Sequence, residues 1–568
     1  MTNQQAWPRV LQPWVGRSNE HAKILLTIVA RLWPEGAGGA GIEGFDEAIT
    51  DLTPGFEDRV IAANREAAAE LERALASETD VQVRQDLQIM IEKAQDHVTG
   101  TELGRTYTIP YFNVPSAVFG GVRALLDDQI VPERRKAALV RLRKYAGLEP
   151  QHEPWAQLAE QITRSRTKKP GLMWPAKAEV EHALADGRSF IDGVPQLFDK
   201  YGLADYQEAF AQLETQLAAY EEFTRREVLP NARTDFRQPF ELYAFGLRVY
   251  GVDVPPNELA KTAHEAFAAT QHEMQALAPL VAKEKGWTFT SYRDVIRELK
   301  KQQLEGEAIL PHYEARLRQL EEIIAREQLV RLPARPARIR LASAAETAAT
   351  PAPHMRPPRL VGNTGEQGEF VLPLNVPSTD GKTLRTDDFT FDAASWTLTA
   401  HEARPGHELQ FAGMLDAGVS TARALFAFNS TNVEGWALYA ERIVQPYMPA
   451  EGQLIALQHR LLRAARAYLD PELQAGTITT DQAFRVLTDE VIVSEAMARQ
   501  EIDRYTFRAP GQATSYFYGY TKLVGLRADV EKARGSAFNQ RELHDFILAQ
   551  GLLPPRLLRE AAMKRFAE

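Results

Sequence analysis

The sequence predicts a mainly α-helical, multi-helix protein with one small sheet. Three observations carry that expectation. Long runs place apolar residues three and four positions apart among Ala, Glu, Leu and Arg. Prolines at 150, 154, 170, 175, 230, 239, 255 and 256 punctuate the first half, where they end helices and open turns. One segment, GEFVLPLNVP at 368–377, has β-formers bounded by Gly and Pro and is the best strand candidate.

In chain order, ILLTIVARLW at 24–33 comes first. It follows a polar stretch and is interrupted by Arg31, so it reads as an amphipathic helix and not as a signal segment. Helical spacing then recurs at 56–98, 205–228, 256–285 and 309–328, with no fixed period of the kind a solenoid shows. TRSRTKKPG at 163–171 reads as an exposed turn. Residues 332–360 are Pro- and Ala-rich and read as a connector. After the strand at 368–377, helices are expected near 392–416, 421–445, 452–469, 480–508 and 513–535. The expected organisation is an N-terminal helical lobe over 1–331, the connector, and a helical lobe over 361–568, packed as one integrated unit.

Composition narrows the function. With 44% apolar and 25% charged residues, the chain has ordinary globular composition and needs no staples for a core. A net charge of −10 argues against nucleic acid as a partner, because phosphate binding wants concentrated basic surface. The absence of cysteine excludes disulfides, thiolate metal sites and a Cys nucleophile. No apolar run approaches the roughly 20 residues of a membrane span. A cytoplasmic location is expected for the chain as it stands, or a periplasmic or exported one if a signal precedes it. Oligomeric state stays open.

The stretch that carries chemistry is HEARPGHELQ at 401–410. In the signature H-E-x-x-H, two His one helical turn apart reach one zinc ion, and the Glu takes a proton from the metal's water. Here His401 and His407 are six apart. At about 100° per residue that is about 600°, or about 120° from a shared face. A regular helix cannot bring them to one metal. Arg404-Pro405-Gly406 can, because Pro ends a helical ladder and Gly accepts most dihedrals. Asp392 is a plausible N-cap for the helix leading in. Glu434, 27 residues after His407 in VEGWALYAER, offers a third ligand from a second helix. Glu441, seven residues further and on the same face, could orient a ligand from behind. Two His, one Glu and an open position make the pattern of a zinc site that does chemistry. A control lies in AHEAFAATQHE: His264 and His272 are eight apart in an uninterrupted amphipathic helix and read as ordinary helical residues.

Three motifs in order resemble a known family: His401-Glu402-x-x-Pro405-Gly406-His407-x-x-Gln410, then Glu434-Gly435-Trp436-Ala437-x-Tyr439-x-Glu441, then Pro510-Gly511-Gln512-Ala513-x-x-Tyr516-x-x-Gly519. They resemble the bacterial domain-of-unknown-function family 885, which is similar to the gluzincin metallopeptidases such as neurolysin and angiotensin-converting enzyme. VPSAVFGGVRALLDDQIVPERR in the first half resembles the family more loosely. The resemblance implies a two-lobed helical fold with a deep cleft and a small antiparallel sheet lining it. It implies one zinc ion per chain on His401, His407 and Glu434, with Glu402 as general base. It favours Tyr516 as a donor to the oxyanion that peptide hydrolysis develops.

The third motif also has its own reading. Pro510-Gly511 ends one helix and Gln512 opens another, while Tyr516 and Tyr520 are one turn apart and Tyr518 faces elsewhere. These tyrosines serve catalysis or pack a helix interface. Arg504 meets a substrate carboxylate bidentately or pairs with Glu501. Gln512 and Tyr520 join Glu441 and Arg504 as residues that would support the ligands or touch substrate. Strand 368–377 pairs with an extended substrate or completes the sheet. His354, Arg356 and Arg359 border the cleft or form a solvated loop. The leading expectation is a zinc-dependent hydrolase of a peptide or related amide bond. The alternatives are a non-catalytic helical peptide-binding protein that keeps the fold, and a structural scaffold without metal.

Overall fold

The computed structural model describes residues 12–567 apart from 351, 374–375, 378–382 and 385–386. Helices dominate, and local chemistry sets their ends. The run at 56–98 is two helices, Phe56–Ser77 and Val81–Tyr107. Asp80 starts the second by accepting from the N–H groups of Gln82 at 2.9 Å and Val83 at 3.4 Å. The stretch at 24–33 lies within Pro13–Leu32 and buries one stripe (Ala22, Leu25, Ala30, Leu32), as an amphipathic helix should. Pro256–Lys285 forms one helix, opened by Pro at its first position and closed by Gly286 at φ +74°. It packs along Ala450–Ala475, which runs past the expected end at 469 to Gly476 at φ +72°. The expected helix at 480–508 is broken: Ile492 takes a left-handed φ of 64° between Thr480–Arg485 and Glu495–Asp503.

The connector folds. Arg338–Leu341 (β1) and His354–Arg356 (β2) flank Glu369–Leu372 (β3) in a three-stranded sheet of order β1-β3-β2. β1 runs parallel to β3 and β2 antiparallel, so the sheet is mixed and not antiparallel as expected. Both edges of β3 are taken, and it offers no ladder to an extended substrate. Of the expected strand at 368–377, residues 374–375 lie outside the described residues, and Val376–Pro377 pairs with Thr383–Leu384. The flanking strands are four and three residues long and rich in Arg, which hid them. Their arginines gather on Glu369, only 3% exposed: Arg340 Nε at 3.0 Å, Arg356 Nη1 at 3.3 Å and Arg338 Nη1 at 3.4 Å from its carboxylate.

Among the described residues, three large bodies of buried side chains and one small one hold the chain, and the two largest each draw on both sides of residue 331. One combines 243–317 with 370–518, a second combines 22–94 with 320–566, and a third is drawn from 52–228 with Ala345. The helix Asp392–Glu402 lies between the first two: Ala393, Ala394 and Leu398 face one, Trp396 and Ala400 the other. All its residues from Ala393 to Glu402 are buried. Its composition, DAASWTLTAHE, follows from that position, because a helix enclosed on every side has room mostly for Ala, Ser and Thr.

Candidate metal centre

The helix carrying His401 ends at Glu402, and His407 opens a new one, His407–Ala417. The Arg404–Pro405 peptide between them is cis. Gly406 touches the helix it has just left: a Cβ there would lie 1.9 Å from the carbonyl oxygen of His401. Buried groups clamp the break. Arg404 reaches Glu408 at 2.6 Å, Glu321 at 2.7 Å and the carbonyl of Arg335 at 2.6 Å. Trp436 Nε1 donates to the Pro405 carbonyl at 3.0 Å. Asp392 is not the N-cap; Phe391 is, without a side-chain bond. The Asp392 carboxylate instead accepts from Arg316 Nη2 at 2.5 Å and lies 3.2 Å from His312 Nε2.

The break brings the imidazoles together, with ring centroids 4.8 Å apart and planes at 85°. Glu434 arrives on Ser430–Val444, started by Asn429, whose side chain accepts from the Asn432 N–H at 2.8 Å. That helix crosses Thr514–Arg534 so closely that a Cβ on Gly435 would lie 2.6 Å from Gly519 Cα. Each motif therefore needs its glycine. Glu434 Oε2 sits 3.5 Å from His401 Nε2 and 3.3 Å from His407 Nε2, without hydrogen-bond geometry, so this buried oxygen has no donor among the described residues. Donors about 2.1 Å from a tetrahedral ion are about 3.4 Å from one another. The spacing, the orphaned oxygen and the N,N,O donor set fit one divalent ion, and these three are the only such group among the described residues.

Electrostatics supports distinct roles. Glu441 Oε1 lies 2.7 Å from His401 Nδ1, which leaves Nε2 to face the cluster, and Thr397 donates to Glu441 Oε2. Burial opposes the Glu441 charge, but Arg463 and His401 overcome it and hold the carboxyl down at about 2. Burial likewise opposes the Glu434 charge, yet His407 and His401 hold it well below the usual range. Burial pushes the Glu402 carboxyl up to about 8, with His407 pulling it down and Glu434 adding to the rise. Three carboxylates on two adjacent helices, two buried and one half-buried, thus differ by their neighbours.

The structure sorts the other sequence candidates. Tyr516 is 7% exposed, and its ring lies nearly parallel to that of His401, centroids 6.3 Å apart. Its hydroxyl makes no hydrogen bond among the described residues, and it lines a cavity with His401, Glu402 and Arg504. Tyr518 bonds Asp253, away from the cluster. Tyr520 accepts from Arg442 Nη1 at 2.7 Å within a helix interface and does not line that cavity. Gln512 donates to Ser430 Oγ at 2.9 Å, tying down the start of the Glu434 helix, and also stays out of the cavity. Arg356 pairs with Asp127 at 2.7 Å and Arg359 reaches the Gly41 carbonyl at 3.1 Å, so these arginines fasten the sheet to the N-terminal half. His264 and His272 are exposed, as the control expects.

Sequence reasoning missed the basic wall of the cavity. His459, Arg463 and Arg466 follow one another at i, i+4 and i+7 in QHRLLRAAR and all line it. The signal was available: three basic groups share one face of a helix whose neighbouring positions 461, 462, 464 and 465 are Leu and Ala.

A family model matches residues 34–562. The chain belongs to the family described as "Bacterial protein of unknown function (DUF885)". No curated protein matches it. Its fold is that of a "putative lipoprotein of unknown function from Shewanella oneidensis", at 18% identity and a TM-score of 0.72, covering 97% of this chain and 100% of that one. It is also that of "the putative lipoprotein from Colwellia psychrerythraea", at 19% identity and a TM-score of 0.76, covering 98% and 100%.

Proposed function

Starting from that membership, we propose that this chain is a zinc-dependent hydrolase of a peptide or related amide bond, related to the gluzincin metallopeptidases and working in a cleft between helical lobes. One observation carries the reading: His401 Nε2, His407 Nε2 and Glu434 Oε2 converge within 4.8 Å, beside the buried Glu402. When bound, zinc polarises a carbonyl and acidifies a water molecule. Glu402, next in chain to a ligand and lining the same cavity, takes a proton from the attacking water and returns it to the leaving amine. Glu441 keeps the His401 ring turned so that Nε2 faces the ion. Tyr516 donates its free hydroxyl to the oxygen on which charge develops. The lipoprotein descriptions of the two structural neighbours favour the exported location over the cytoplasmic one.

The test is Glu402→Gln. It should keep one zinc per chain while peptide turnover falls by about 10³-fold or more. Mass-spectrometric profiling of a mixed peptide pool, beside elemental analysis, reads both quantities. Unchanged cleavage would remove Glu402 as the base. One zinc with no cleavage by the wild type would make the chain a peptide-binding protein.

A further inference from the structure

Three guanidiniums stand behind Tyr516, and they are not equivalent. Arg466 is satisfied: its Nε and Nη2 reach the two oxygens of Glu501 at 2.7 and 2.6 Å, and Tyr505 donates to the same carboxylate at 2.7 Å. Arg504 finds Glu501 already engaged. Its Nη1 lies 3.6 Å from Glu501 Oε1 and is buried with no hydrogen-bond partner. Arg463 is 6% exposed, and its Nε is likewise buried and unpartnered. Its remaining contacts are long: Nη1 to the His459 carbonyl at 3.3 Å and Nη2 to Glu441 Oε1 at 3.7 Å.

The spare donors share one place. Arg463 and Arg504 both line the cavity that holds His401 and Glu402, 5.9 and 5.8 Å from the centre of the Tyr516 ring. That ring also lies nearly parallel to the His401 ring, centroids 6.3 Å apart, so Tyr516 neighbours both the arginines and the His401 side of the cluster. Charge points the same way. Glu402, Glu434, Glu441 and Glu501 face three arginines, and a divalent ion would tip the cavity to net positive. A buried guanidinium N–H without a partner is costly to keep, and a carboxylate matches the guanidinium fork.

We propose that Arg463 and Arg504 form an anion subsite that takes a carboxylate of the substrate beside the bond to be cut. The source is a free C-terminus or an acidic side chain. The assignment deepens the hydrolase reading and rests on it for the position of the bond, while carboxylate capture itself is measurable without turnover.

The experiment uses the zinc-loaded Glu402→Gln chain and three random tripeptide pools: free acids, C-terminal amides without Asp or Glu, and C-terminal amides in which every member carries one of them. Equilibrium retention is read by mass spectrometry. At least one carboxylate-bearing pool should be retained about tenfold over the plain amides, and which one identifies the source. Arg504→Gln should erase most of that preference and Arg504→Lys should keep part of it, with helical circular dichroism unchanged. Equal retention of all three pools, no retention of any, or a preference that survives both Arg504→Gln and Arg463→Gln would overturn the subsite. A preference without cleavage by the wild type would leave the subsite standing and sink the hydrolase reading. Cleavage without a preference would do the reverse.

Discussion

Two helical regions of this chain carry a His-Glu pair and a second histidine nearby, and they differ in nearly everything else. In Pro256–Lys285 the helix is continuous; His264 is half exposed, bonds Glu472 at 2.7 Å and stacks on Tyr468 at 3.8 Å, and His272 is exposed. In 392–417 the helix is broken after Glu402, His401 is 2% exposed, and His407 turns back to it. Eight residues of regular helix hold two rings apart, while six residues with a Pro-Gly break bring two together. What sets the proposed cation site apart is the interruption and its burial, not the dipeptide.

The largest contrast should be in metal content. His407→Ala is expected to drop bound zinc from one per chain to none, whereas His264→Ala and His272→Ala keep it and shift stability by less than about 0.5 kcal/mol. Elemental analysis and thermal melts read this. If His264→Ala lost the metal too, the comparison would collapse.

Next comes the break. Gly406→Ala places a methyl group against the His401 carbonyl and should cost on the order of 3 kcal/mol and release the metal. In the unbroken helix the opposite change, Ala268→Gly at an exposed position, should cost only about 1 kcal/mol and leave zinc untouched. Urea unfolding with zinc counting separates the two.

Smaller effects belong to the carboxylates behind the rings. Glu441→Gln should weaken zinc about 10- to 100-fold in a competition titration, because His401 loses the partner that fixes its ring. Glu472→Gln, behind His264, should change nothing in that titration.

The burial of Glu402 also leaves a pH signature. In metal-free protein the Glu402 carboxyl is raised from 4.5 to about 8, so the fold favours its proton. That contribution is intact below pH 4.5 and is lost as pH rises towards 8. Metal-free Glu402→Gln should therefore melt above metal-free wild type at pH 8, with the gap closing near pH 4.5.

The same contrast explains what the sequence made legible. His401, His407 and Glu434 could be paired because Pro405-Gly406 announces a break at a spacing no helix tolerates. Helix periodicity located Pro256–Lys285 to the residue and the start of Ala450–Ala475 within two residues, but it set the end of the latter six residues early. The sheet's two flanking strands escaped because they are short and lean on one buried Glu369, a pairing with no local pattern. Gln512 and Tyr520 were grouped with the cluster by motif, but their side chains serve helix crossings, where contact depends on facing helices far apart in sequence. Arg463 escaped as a site residue for a related reason: the sequence shows a basic helix face, and only tertiary packing says what that face meets.

The most direct measurement is anomalous diffraction at the zinc edge from crystals grown with zinc. This account predicts one peak per chain, about 2.0–2.2 Å from His401 Nε2, His407 Nε2 and a Glu434 oxygen. No peak between them, or a peak elsewhere with the two rings turned apart, would contradict it.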